Sequence, residues 1–195
     1  MTLLGLDFDN TLVCYDKLFK KLAVEKGLID NSIQANKTAI RNHLCSIKKE
    51  GEFTLLQGEV YGKRIKEAEA SEGMIEAVKL IINRGIKVAI VSHKTKEPYK
   101  GPKYNLHEAA LKWIEKNKLN KNHGLNIDTY FEPTKKEKIE RIKSLQCDYY
   151  VDDLFEILEE LPGSIKRIHY SKQTVTNAHQ IVNMNDWRLL KEIVI

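Results

Sequence analysis

The sequence predicts an α/β fold, a doubly wound parallel sheet carrying a small α-helical insertion, and three observations predict it. Short β-rich runs alternate with helix-period segments over most of the chain. The first of these runs ends in paired carboxylates, at the strand end where open α/β sheets hold their ligands. Residues 13–70, in contrast, read as helix after helix with no strand between, too long a stretch for a plain crossover.

Taken in order, "TLLGLDF" (2–8) is the first strand. The insertion follows, with helices expected in "YDKLFKKLAVEKGL" (15–28), "SIQANKTAIRNHLCSIKKEG" (32–51) and "EVYGKRIKEAEA" (59–70). In "SEGMIEAVKLIINRG" (71–85), Met74, Val78, Ile81 and Ile82 recur at helical spacing and Gly85 is placed to end the helix. "IKVAIVS" (86–92) is the second strand, and "NIDTYFE" (126–132), "DYYVDD" (148–153) and "IKRIHY" (165–170) supply three more. Helices are expected between them in "LHEAALKWIEKNK" and "TKKEKIERIKSLQ", and an amphipathic one in "NDWRLLKEIVI", with Trp113 and Trp187 as core residues. The predicted division is a sheet domain of residues 1–12 and 71–195, interrupted by the insertion at 13–70.

With 195 residues and 42% hydrophobic content, the chain has enough apolar surface for one domain of ordinary size. Its 32 basic and 27 acidic residues leave a formal charge of +5, which favours small anionic ligands over a wrapped nucleic acid. Cys14, Cys45 and Cys147 form no CxxC pair, and the N-terminus lacks a basic, cleavable leader. No apolar run approaches the roughly 20 residues that cross a bilayer. These features point to a soluble protein with reduced thiols in the cytoplasm, without a membrane partner. The histidines, His43, His93, His107, His123, His169 and His179, show no HExxH spacing and so suggest no histidine metal site.

The chemistry gathers at the strand tips. Asp7 and Asp9 end the first strand, Ser92 ends the second, Asp152 and Asp153 end the fourth, and the lysine-dense helix start "TKKEK" lies between the last two. Taken alone, Asp7 and Asp9 read equally well as a solvated turn capping the next helix. Carboxylates converging from two strands repel one another unless a divalent cation neutralises them. Magnesium suits oxygen-only ligands and is typically held by one or two carboxylates plus a substrate phosphate.

These residues resemble the motifs of the haloacid dehalogenase-like (HAD) hydrolase superfamily. "LLGLDFDNT" looks like its DxDxT motif, "VAIVSHK" like the strand ending in Ser or Thr, "TKKEK" like the lysine motif, and "YYVDD" like the DD form of the fourth, in the expected order. The resemblance implies a Rossmann-like core with a small helical cap and phosphoryl transfer through an aspartyl phosphate. Asp7 would be the nucleophile. Asp9 would protonate the leaving oxygen and then accept a proton from the hydrolytic water; the superfamily's dehalogenases and ion pumps lack an aspartate there. Ser92 and a lysine would bind the transferring group. Lys138, four and seven residues before Ile142 and Leu145, has a spacing similar to the family's, with Lys135 the runner-up and Lys136 a further candidate. The Mg2+ ligands would be the Asp7 side chain, the Asp9 main-chain carbonyl and Asp153. Asp152 would support the site from behind, and Thr11 would position Asp9.

Capped members generally act on small phosphorylated molecules, so a phosphomonoester of a small metabolite is the expected substrate and a nucleic-acid end ranks below it. A phosphomutase or phosphotransferase, and a phosphate-binding regulator without turnover, are the other readings open to these motifs. The loop after Ser92, with Lys94, Lys96, Lys100, Lys103, Tyr99 and Tyr104, reads either as a contact for the organic part of an anionic substrate or as a solvated lysine-rich loop.

Overall fold

The computed structural model of the chain describes residues 1–172 and 180–195; His179 lies outside them. Its strands are β1 (Leu3–Leu6), β2 (Val13–Cys14), β3 (Glu69–Ala70), β4 (Lys87–His93), β5 (Asp128–Glu132), β6 (Tyr149–Asp152), β7 (Lys166–Tyr170) and β8 (Ile181–Met184). The helices are α1 (Asp16–Glu25), α2 (Lys37–Ser46), α3 (Glu50–Tyr61), α4 (Met74–Asn83), α5 (Leu106–Lys116), α6 (Lys135–Ser144), α7 (Phe155–Glu159) and α8 (Leu190–Ile193). No helix of the described residues is long and apolar enough to cross a membrane.

Six strands form one sheet in the order β5-β4-β1-β6-β7-β8, and every pairing is parallel. The sheet is thus the doubly wound α/β type. β1 lies between β4 and β6, where the chain order changes direction, so the carboxyl ends of these three strands share one edge at a switch point. Leu4, Leu6, Ile90, Val91, Tyr150, Val151 and Ile168 are buried in the strands. Gly5 is dictated by packing: a Cβ there would stand 2.5 Å from the Tyr150 ring and 3.1 Å from Cys147 Sγ. The buried Tyr150 hydroxyl donates to the Val91 carbonyl at 2.5 Å, locking neighbouring parts of the sheet unit together. Helix α4 ends as expected, with Gly85 in the left-handed region at φ 82°.

The structure differs from the sequence reading in several elements and their bounds. The sheet has a sixth strand, β8, whose four residues alternate too little to announce themselves. The C-terminal helix is a 3-10 turn at Trp187–Leu189 followed by α8, and it begins where Asp186 caps it by accepting from Arg188 N–H. In the helical stretch, α2 starts only at Lys37, where Asn36 accepts from Ala39 N–H. Helix α3 occupies Glu50–Tyr61 and buries Phe53, Leu56 and Val60 at i, i+3, i+7 spacing, so the helix expected over 59–70 is not formed. A 3-10 turn at Ile65–Glu67 and strand β3, paired with β2, take its place, and the stretch expected to be all helix begins and ends in short strands.

The chain divides into two compact units. One comprises Met1–Val13, Ala70–Lys94 and Asn117–Ile195 and holds the six-stranded sheet. The other comprises Cys14–Glu69 and Thr95–Lys116, so α5 and the lysine-rich loop before it group with α1–α3. Within this helical unit Phe19 stacks on Phe53 at 5.7 Å, and the buried Trp113 donates its indole N–H to the Ala68 carbonyl at 2.9 Å. Gly58 lets Pro98 approach to where a Cβ would lie 3.0 Å from its ring, seating the loop on α3. Charge is segregated as well: the helical unit has 16 basic and 11 acidic residues, the sheet unit 16 of each, so the whole +5 belongs to the helical unit.

Candidate active site

The sheet unit gathers its carboxylates where β1, β4 and β6 end. Strand β1 runs into Asp7, whose N–H continues the ladder to the Val151 carbonyl. Asn10 then takes the left-handed conformation at φ 59°, one an asparagine tolerates, and the chain folds back so that Leu12 N–H and Val13 N–H both donate to the Phe8 carbonyl. This tight loop is held from outside by Ser71, whose hydroxyl donates to the Thr11 carbonyl at 2.6 Å. Thr11 is fully buried and its hydroxyl donates to Asp153 Oδ1 at 3.4 Å. It therefore links the first tip to the third.

Asp7 is buried and accepts two hydrogen bonds on Oδ1, from Ser92 Oγ at 2.8 Å and from Lys138 Nζ at 2.6 Å. Lys138 also donates to Asp152 Oδ2 at 2.6 Å, and Asp152 Oδ1 accepts from Leu154 N–H. Its position follows from local sequence: Thr134 caps α6 by accepting from Glu137 N–H, and the helix then turns Lys138, Ile139 and Ile142 inward. Of the three lysines in "TKKEK", the structure brings Lys138 to Asp7. Lys135 pairs with Glu156, and Lys136 reaches Glu140 at 4.0 Å, both in solvent.

Burial and mutual repulsion dominate the electrostatics of this arrangement. Burial opposes the Lys138 charge, but Asp7 and Asp152 outweigh it and raise the ammonium's pKa. Burial first, then the charge of Asp7, raises the Asp152 carboxyl in spite of Lys138. Burial, with Asp7 and Asp152 adding repulsion, pushes Asp153 up to about 8. One carboxylate oxygen from each of Asp7, Asp152 and Asp153 lies within 4.8 Å of the others. This all-oxygen, over-negative donor set fits a hard divalent cation. Asp9, expected to contribute through its main-chain carbonyl, is outside that side-chain group.

Sequence reasoning missed the residue that occupies Asp9. Lys94, placed there among the loop lysines, is 4% exposed, and its Nζ donates to Asp9 Oδ1 at 3.0 Å and Oδ2 at 2.8 Å. The signal was available: Lys94 stands two residues beyond Ser92, and alternate residues of an extended chain share a face. Its N–H still bonds the Glu132 carbonyl, continuing the β4–β5 ladder. With Lys94 counted, four carboxyl groups face two ammonium groups; ionised together they would leave two negative charges unmatched, the charge of one divalent cation. His93 points elsewhere, its Nε2 3.1 Å from the Pro133 carbonyl.

No protein-family model matches the sequence, and comparison with curated proteins finds no match either. Solved structures do match over nearly the whole chain. A HAD-superfamily hydrolase from Ehrlichia chaffeensis is 15% identical, with a TM-score of 0.55, covering 99% of this chain and 97% of its own. A D,D-heptose 1,7-bisphosphate phosphatase from Burkholderia thailandensis is 12% identical at a TM-score of 0.56, covering 98% and 97%. A dehalogenase with an intermediate complex is 12% identical at 0.60, covering 100% and 97%.

Proposed function

We propose that this chain, which has the fold of the HAD-superfamily hydrolases, is a magnesium-dependent phosphomonoester hydrolase acting on a small phosphorylated metabolite. The observation that carries the reading is the pair of acids on one tip, each bound to its own buried lysine: Asp7 to Lys138 and Asp9 to Lys94. Dehalogenases share the fold, but the resemblance assigns an aspartate at the second position to phosphoryl chemistry, and Asp9 stands there.

In this reading Asp7 attacks phosphorus through a carboxylate oxygen. The bond to the ester oxygen breaks, its electron pair leaves with the alcohol, and Asp9 supplies the proton that the leaving oxygen takes up. Water then attacks the aspartyl phosphate, Asp9 accepts a proton from it, and Asp7 is released. Ser92 and Lys138 donate hydrogen bonds to the transferring oxygens. Asp7, Asp153 and the Asp9 carbonyl would hold the cation, with Asp152 fixing Lys138. The cation supplies charge neutralisation for the phosphoryl oxygens. The net charge of +5 supports an anionic substrate. Three free cysteines suit a reducing compartment such as the cytoplasm.

The test is a screen of phosphorylated metabolites with and without magnesium, in wild type and Asp7→Asn. Phosphate release that needs both Asp7 and the metal, without an added acceptor, supports hydrolysis over transfer to a sugar hydroxyl. Equal release by wild type and D7N removes the reading.

A further inference from the structure

We infer that Lys94 is a positioning residue that fixes Asp9 as the proton acceptor of the second half-reaction, the hydrolysis of the aspartyl phosphate. The inference rests on the phosphatase reading and adds to it a residue outside the motifs that suggested that reading. Its basis is geometric. The Lys94 side chain is 2% exposed, so its ammonium has exchanged water for protein partners, an exchange that is costly unless the charge is paired. Both carboxylate oxygens of Asp9 accept from Nζ, and the Phe8 ring centroid lies 5.4 Å from the same ammonium. The lysine is itself anchored, since its main-chain N–H belongs to the sheet ladder.

A carboxylate held through both oxygens cannot rotate freely about its Cβ–Cγ bond. Asp9 keeps 23% of its side chain exposed on a tight loop, and the two bonds from Lys94 favour one orientation of its carboxylate. In the hydrolytic step the water oxygen forms a bond to phosphorus, the bond from phosphorus to the Asp7 oxygen breaks, and its electron pair returns to the Asp7 carboxylate. The proton released by the water passes to Asp9. An acceptor already oriented needs no rearrangement at that moment.

The first half-reaction depends on Asp9 least when the leaving group needs no proton. With p-nitrophenyl phosphate, therefore, Lys94→Met should slow only the second half. With magnesium present, kcat should fall about 100-fold, the lower range for a positioned general base, while kcat/KM stays within about threefold. KM should fall with kcat. A pre-steady-state burst of p-nitrophenolate should appear, and intact-protein mass should show a phosphoryl group retained on the variant. Lys94→Arg, which keeps the charge and the donors, should recover at least about tenfold of the lost kcat. Lys94→Gln serves as a second uncharged variant should the methionine disturb folding in a thermal melt.

A parallel loss in kcat and kcat/KM with no retained phosphoryl group would overturn the inference, as would an Arg variant no better than Met. Failure of the parent reading has a different signature: wild type and Asp7→Asn would then release equal p-nitrophenolate.

Discussion

Replacing Lys138 by methionine tests the electrostatics of the site through stability alone. The substitution keeps most of the side-chain volume that packs in α6 but removes an ammonium whose two partners, Asp7 and Asp152, have side chains 5% and 0% exposed. Two desolvated carboxylates then face Asp153 with no buried cation between them. Breaking a buried pair by deleting one partner costs about 3–5 kcal/mol. For a chain of this length each kcal/mol shifts Tm by roughly 2–4 °C, so without metal the expected drop is about 6–20 °C. The assay is thermal or urea unfolding in EDTA, followed by a signal from the sheet unit. Added magnesium should narrow the gap, since an ion binding only the folded state stabilises it by mass action. A loss under about 1 kcal/mol in EDTA would refute the reasoning, because it would mean that the carboxylates do not need the lysine.

Other expectations follow from the same geometry. Asp153, whose carboxyl is pushed up to about 8, holds a proton in the folded state that an unfolded chain releases near pH 4. Unfolding free energy contributed by this group is therefore greatest below about pH 4 and declines as pH rises towards 8; melts of EDTA-treated protein at pH 5 and 8 should show the decline, and magnesium should flatten it. Gly5→Ala places a methyl 2.5 Å from the Tyr150 ring and should cost about 1–3 kcal/mol in urea titration, with the m-value unchanged. Thermal melts of Thr11→Ala, which loses a long 3.4 Å bond to Asp153, should show under about 1.5 kcal/mol of destabilisation.

Much of the fold was legible because buried parallel strands leave a strong local record. The runs around Leu4–Leu6, Ile90 and Val151 are apolar and short, and the amphipathic spacing of α4 with Gly85 after it names both the helix and its end. β8 was not legible, for an edge strand of four residues containing Asn183 carries almost no periodicity. The bounds of α2 turned on one side chain, Asn36, whose capping bond no hydrophobic pattern reveals. At the candidate site, Asp7, Ser92 and the Asp152–Asp153 pair could be placed at strand ends, while the choice of Lys138 among three lysines and of Asp153 over Asp152 came from the resemblance to the HAD motifs; the structure brings Lys138 to Asp7. Lys94 was read as a loop residue because charge composition suggests solvent; its burial arises from Asp9, 85 positions away in sequence. A pairing of that range has no local signal beyond the alternation that links it to Ser92.

The interrupted build of the helical unit constrains how the protein can be re-engineered. Its core is completed by two separate stretches, with Trp113 of the second bonded to Ala68 of the first and Pro98 seated against Gly58. Excising residues 14–69 would strand the 95–116 stretch with an orphaned indole and a bared apolar face. A chimera that borrows this module must therefore carry both stretches across, joined at four splice points.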